Sequence, residues 1–200
     1  MSEKLCLIVC GSFLPEVKSV IEAGVYPDVA IKSFNSSCIG AQLNDDSIDT
    51  VLEKYKTQFS KVAVIGGSCN VLMNKKNVTN DQIEYYQLSQ CFELLLNKST
   101  IDHLITNRNY LISNGWLKDY KKHIMEWGFD SQTAKKYFQE SVTKLVLLDT
   151  GLPDDYLTPL QTISNYMGIP YEIVPVGLSH CKLYLDSIIL NWREENERKD

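Results

Sequence analysis

Cys10, Cys69 and Cys91 are the residues of this chain whose type and placement could do chemistry. Each falls where a buried strand is expected to end or a helix to begin. Cys10 closes the apolar run Leu5-Cys6-Leu7-Ile8-Val9, Cys69 follows Val62-Ala63-Val64-Ile65 through Gly66-Gly67-Ser68, and Cys91 opens Phe92-Glu93-Leu94-Leu95-Leu96. Thiolates anchor iron–sulfur clusters and suit zinc and other soft metals. Gathered by the fold, the three make a metal centre, an iron–sulfur cluster being the first expectation and zinc or nickel the alternatives. His180 or Cys181, opening the last expected helix, offers a fourth ligand. A helix start at Cys91 would also lower the pKa of its thiol, which opens a different reading: a thiol-dependent transferase with Cys91 as nucleophile.

Against these stands the ordinary fate of a free cysteine, burial as a small apolar side chain. The spacings match no ferredoxin or zinc-ribbon signature, and no Cys-x-x-Cys pair exists for thioredoxin-like redox work. Cys6, inside its apolar run, reads as core, and Cys38, in a polar loop, as spare or as a further ligand. Gly66-Gly67-Ser68-Cys69-Asn70 is the most distinctive turn. Its glycines let a ligand approach the backbone, and consecutive N–H groups can form an anion-binding nest. It is neither a P-loop nor a dinucleotide fingerprint, because the following Gly-Lys-Ser/Thr and the third Gly are missing. Gly11, Gly66, Gly67, Ser68, Asn70 and Asp149 are therefore the expected cofactor-binding residues, Asp149 ending its strand ahead of Thr150-Gly151. His103 and His123 lack a ligand-spaced partner and are expected at the surface. Trp116, Tyr120 and Trp127 share one helical face and read as core. Nothing in the sequence supports hydrolase chemistry, and no catalytic residue is assigned.

The elements that must position these residues alternate. Short apolar runs near 4–10, 28–34, 61–66, 143–149 and 171–175 read as strands, with Asn109–Ser113 a further short one. Pro15–Ala23, Asp46–Phe59, Gln87–Leu96, Trp116–Trp127, Ser131–Glu140, Asp155–Met167 and Ser179–Glu195 read as helices, Asp46 and Ser131 being suited to begin theirs. This is the pattern of an α/β protein with a Rossmann-like, mainly parallel sheet flanked by helices. A single domain spanning 1–200 is expected, with 67–142 as a helical cap or insertion. Ligands bind such sheets beyond the carboxyl ends of the strands. That rim would gather Cys10-Gly11-Ser12, Gly66 to Asn70, Asp149-Thr150-Gly151 and Val176-Gly177-Leu178.

A chain of 200 residues, 44% of them hydrophobic, can bury a substantial core. A net charge of -5 and a pI near 5.3 give no basic footprint for nucleic acid or anionic lipid. With no apolar run long enough to span a bilayer and no signal-like start, a cytoplasmic protein with reduced thiols is expected. Self-association into a homo-oligomer stays open.

The set Val9-Cys10-Gly11, Ile65 to Asn70, Gln90-Cys91-Phe92-Glu93-Leu94-Leu95-Leu96-Asn97, Asn114-Gly115-Trp116-Leu117 and Leu148-Asp149-Thr150-Gly151-Leu152 resembles the family known as domain of unknown function sixteen thirty-eight. In that family an Ala-Cys-Gly, a Gly-x-Cys-Gly-Asn turn, an Asp-Cys before an apolar helix and a Gly-Trp follow in the same order. The three cysteines match it position by position. The chain departs from it at Asn70, which follows Cys69 without an intervening Gly, at Gln90, and at Asn97-Lys98-Ser99. The family often occurs beside corrinoid-dependent methyltransferase systems of anaerobes. The resemblance thus implies cofactor handling, with a corrinoid as alternative cofactor and a corrinoid protein or methyltransferase as partner. It equally allows a corrinoid-system accessory with no metal of its own.

Overall fold

The computed structural model describes residues 4–35, 48–67, 82–153 and 155–198. Its strands are all parallel, but they form two sheets where one was expected. The chain divides accordingly into two compact units, Met1–Leu94 with Ser179–Asp200, and Leu95–Leu178. Each is a Rossmann-like α/β arrangement of strands and flanking helices.

In the first unit, β1 (Leu5–Cys10), β2 (Val29–Phe34), β3 (Lys61–Gly66) and β4 (Ile83–Gln87) lie in the order β2-β1-β3-β4. The two inner strands are the continuous apolar runs, as burial on both faces of a parallel sheet requires. α1 (Leu14–Gly24), with proline in its first turn, covers the sheet with Val17, Val20 and Ile21. α2 (Ile48–Tyr55) adds Ile48, Val51 and Leu52 to a cluster with Cys6, Ile8, Phe34 and Val64. The final helix, labelled α8 below, spans Ser179–Glu197 and buries Cys181, Leu185, Ile188, Ile189 and Trp192, a stripe at helical period. Its Arg193 grips Asp28, beside β2, through paired hydrogen bonds of 2.8 and 2.6 Å.

In the second unit, β5 (Asn109–Ser113), β6 (Lys144–Asp149) and β7 (Tyr171–Pro175) follow one another in chain order. α3 (Lys98–Thr106) starts on Asn97, whose side chain accepts from Thr100 N. α4 (Asn114–Lys118) and α5 (Tyr120–Trp127) replace the single helix expected over that stretch, breaking at Asp119. α6 (Ser131–Ser141) and α7 (Leu157–Met167) complete the unit. α6 is capped by Asp130, not Ser131: the Asp130 carboxylate accepts from Thr133 N at 2.7 Å. The core gathers Ile112, Trp116, Phe138, Leu145, Leu147 and Leu160, with Tyr120 and Trp127 packed against it.

In the middle third, 67–142, the described residues include strands as well as helices. It gives β4 to one sheet and β5 to the other, and the helix expected over Gln87–Leu96 is replaced by the end of β4 and a four-residue 3-10 turn, Cys91–Leu94. β4 escapes a periodicity reading because it is an edge strand, and Ile83-Glu84-Tyr85-Tyr86-Gln87 is only half-buried throughout. Asp46 lies outside the described residues. No described helix is long and apolar enough to cross a membrane.

Candidate functional site

In the first sheet the strand order reverses between β1 and β3, since β1 leads outward to β2 on one side and the chain returns to β3 on the other. The carboxyl ends flanking such a reversal form the crevice where open parallel sheets take ligands. Cys10 ends β1 and Gly66 ends β3, each one step beyond the last pair that joins these two strands, Val9 and Ile65.

Cys91 arrives from the next strand. β4 pairs with β3 through to Gly66 and Gln87, and Leu88 N continues the ladder to Gly66 O at 2.9 Å. The chain then turns so that the Cys91 backbone lies against Gly67. A Cβ placed on Gly67 would stand 2.7 Å from Cys91 N and 3.1 Å from Cys91 Cβ, so only glycine permits this approach. Two further contacts fix the turn. Phe92 meets Phe13, from the loop that Cys10 opens, edge to face at 5.8 Å between ring centres. Glu93 Oε1 accepts from Gln90 N at 3.2 Å.

His180, at the start of α8, reaches the same turn, its Nε2 lying 3.1 Å from Glu93 O. A carbonyl only accepts, so Nε2 carries the proton and donates, which leaves Nδ1 of the neutral ring with the free lone pair. Histidines that ligate metals are commonly oriented by such an N–H to carbonyl bond.

The cysteines separate by environment. Cys10 and Cys91 are half-buried cysteines at the rim, whereas Cys6 and Cys181 are fully buried. Burial pushes both of those thiols up to about 12, the opposite of what a thiolate ligand needs. Cys6 is core as expected, and of the two fourth-ligand candidates His180, not Cys181, is placed at the rim. Ser68, Cys69 and Asn70 lie outside the described residues, as does Cys38. Gly67, two residues before Cys69 in sequence, marks where that segment leaves β3. Gly11 follows Cys10 in a 3-10 turn leading to α1. The helix start expected at Cys91 is a four-residue 3-10 turn, Cys91–Leu94.

The described donors are two thiols and an imidazole nitrogen, a set suited to iron–sulfur centres or zinc and unsuited to hard cations. Among the described residues, no three of His, Cys, Asp and Glu converge as a metal site.

Asp149 does not share this rim. It ends β6, in the other sheet, with Val176-Gly177-Leu178 beyond β7. Its Oδ1 accepts from Gly151 N at 2.9 Å and its Oδ2 from Tyr156 OH at 3.4 Å, while Val176 N and Gly177 N donate to its carbonyl. The four strand ends expected on one rim are thus two and two. His123 also departs from expectation. It is 3% exposed, stacked on Trp116 at 4.4 Å, and burial holds its pKa below the usual imidazole value. Aromatic spacing finds Trp116 but gives no hint that a histidine joins it.

Two parallel α/β units, one with cysteines at its switch point, define the class: a Rossmann-like protein with a thiol-bearing rim. Residues 42–185 match the family described as "Protein of unknown function (DUF1638)", and the chain belongs to that family. Cys69, Cys91, Asp149 and His180 fall inside the matched stretch, and Cys10 precedes it. No curated protein matches the sequence.

Proposed function

We propose that this protein binds a thiolate-ligated metal centre, an iron–sulfur cluster, through Cys10, Cys69 and Cys91 at the carboxyl rim of its first sheet. The observation that carries the reading is the approach of the Cys91 turn to Gly67, at the end of β3, beside the strand that Cys10 terminates. Three soft donors from separate loops suit such a centre better than a solvated thiol pair would. His180 Nδ1 is the nitrogen we assign to a fourth position, held by its Nε2–H bond to Glu93 O. The buried Phe13 and the half-buried Phe92 would line one flank of the rim, and backbone N–H groups of the Gly66-Gly67-Ser68 turn would donate to bridging sulfides. When bound, a cluster with one such exchangeable position would supply electron transfer or a site for ligand exchange. We place the protein in the cytoplasm, with a corrinoid protein or methyltransferase of anaerobic methyl transfer as its partner.

The test is purification under strict anaerobiosis, followed by analysis for iron, zinc, nickel, cobalt and acid-labile sulfide. The proposal expects stoichiometric iron and sulfide, together with thiolate-to-iron charge-transfer absorption in the visible. Substoichiometric values for all of these metals would overturn it.

A further inference from the structure

Three lysines of the first unit meet where no described carboxylate faces them. Lys18 from α1, Lys32 from β2 and Lys54 from α2 line one cavity of about 380 Å³ at the outer edge of β2, the strand that ends the sheet. Helical period brings them there. Leu14 and Lys18 lie one turn apart on α1, as do Val51 and Tyr55 on α2, so each helix turns one stripe to the cavity. Elsewhere the chain pairs its lysines: Lys56, Lys61, Lys98, Lys122, Lys144 and Lys182 each have a carboxylate partner. Lys18, Lys32 and Lys54 have none among the described residues, and no Asp or Glu lines their cavity, in a chain whose net charge is -5. Lys32 is half-buried. Its ammonium group and that of Lys54 lie 5.1 and 5.3 Å from the centre of one ring, Tyr55. Two cations gathered on one ring repel each other, and a bound anion would relieve that conflict.

The strand edge adds donors. Asp28 O accepts from Leu5 N where the β1–β2 ladder begins. Successive residues of a paired strand turn their backbone groups to opposite edges. Ala30 and Lys32 therefore face β1, whereas Ile31 and Ser33 turn their N–H groups outward, to the cavity that both line. The volume is that of a metabolite pocket, which runs from about 300 to 1,000 Å³. A strand-length groove for a peptide would have to extend past the two helices that close it. Arginine, whose planar fork matches a carboxylate, is absent from the described lining; lysine acts as a point charge and suits the oxygens of phosphate.

We infer that this cavity binds the diphosphate group of a small metabolite, its charge met by Lys18, Lys32 and Lys54 and its carbon part by the apolar Leu14, Ile31 and Val51. The inference goes beyond the metal-centre reading and uses none of its residues.

Inorganic pyrophosphate is the probe, titrated calorimetrically into the full-length protein. Saturable binding of one equivalent is expected, with an affinity that falls as salt is raised and a thermal midpoint that rises on saturation. Lys32→Gln, and separately the exposed pair Lys18→Gln with Lys54→Gln, are expected to weaken binding at least tenfold. Lys98→Gln, which alters an ion-paired lysine of the other unit, is expected to leave it unchanged. Citrate, of comparable charge, is expected to bind at least tenfold more weakly than pyrophosphate. A cooperative thermal transition in each variant shows that it is folded, so that lost binding reports the site. Absence of saturable pyrophosphate binding, citrate or hexaglutamate binding as tightly, or a loss in Lys98→Gln equal to that in Lys32→Gln would overturn the inference. Metal content, read on the same samples, is expected to be equal in all of them, which separates this site from the sulfur rim.

Discussion

The two units of this chain solve the same architectural problem with different chemistry at the end that matters. Both are parallel sheets with helices, and both place small or polar residues immediately beyond the carboxyl ends of buried strands. The first carries sulfur at its rim, with Cys10 ending β1 and the half-buried Cys91 packed against Gly67, where only glycine permits the close backbone approach. The second ends its strands in oxygen and nitrogen, with Asn114, Asp149 and Thr150 and no cysteine. The first sheet also has a reversal of strand order, whereas the three strands of the second run in chain order. On the proposed reading, what a rim binds follows from the residues just past its strands and not from the scaffold.

Removing the sulfur from the first rim should have the largest effect. Cys10→Ala combined with Cys91→Ala is expected to take bound metal to background, while Asn114→Leu leaves it untouched. Elemental analysis of the three proteins side by side would break the comparison if both variants lost metal equally.

Gly67→Ala comes next. The added methyl would meet backbone, which cannot swing aside as a side chain can, so a loss of about 1–3 kcal/mol is expected by chemical denaturation. Metal content should fall with it as Cys91 is displaced. Gly151→Ala, whose Cβ meets open space, should cost only its positive φ, about 1–2 kcal/mol, and leave metal content unchanged.

The units should also part company in acid. Burial holds the folded His123 pKa below its unfolded value of 6.5, so the unfolded chain takes up a proton that the folded one refuses. Stability of the second unit is therefore whole above that pH and falls as pH drops from it towards the folded value. His123→Phe, which keeps a ring against Trp116, should flatten this limb in a thermal-midpoint profile.

In the first unit the Arg193 guanidinium holds the Asp28 carboxyl below its unfolded value of 3.8. The contribution of the pair is complete above that pH and is lost as pH falls through the folded value. Since both partners are partly exposed, Arg193→Ala should cost only about 0.5–1 kcal/mol at neutral pH. A loss that persists undiminished once pH lies well below the folded Asp28 value would contradict the ion-pair explanation.

Much of this was legible before any coordinates. The buried inner strands announce themselves as unbroken apolar runs, and β2, β6 and β7 fall within a residue or so of where composition puts them. Cys10 and the Gly66-Gly67 turn were readable as strand ends for the same reason. What stayed hidden depends on partners distant in sequence. Nothing local tells that Lys144–Asp149 pairs with Asn109–Ser113 and not with β1, so one sheet was expected instead of two. β4 carries polar residues because one of its edges has no neighbour, and Cys91 reads as a helix start because Phe92 to Leu96 is apolar. Asn114 and Thr150 were visible as turn residues, yet their burial without partners appears only once strand ends are set side by side.

The central claim is that the sulfur rim holds a metal centre, and the most direct measurement is iron and acid-labile sulfide per chain in anaerobically purified wild type and in Cys69→Ala. The account predicts stoichiometric iron and sulfide with visible charge-transfer absorption in the first, and loss of both in the second. Metal-free wild-type protein, or a Cys69→Ala variant with undiminished iron and sulfide, would contradict it.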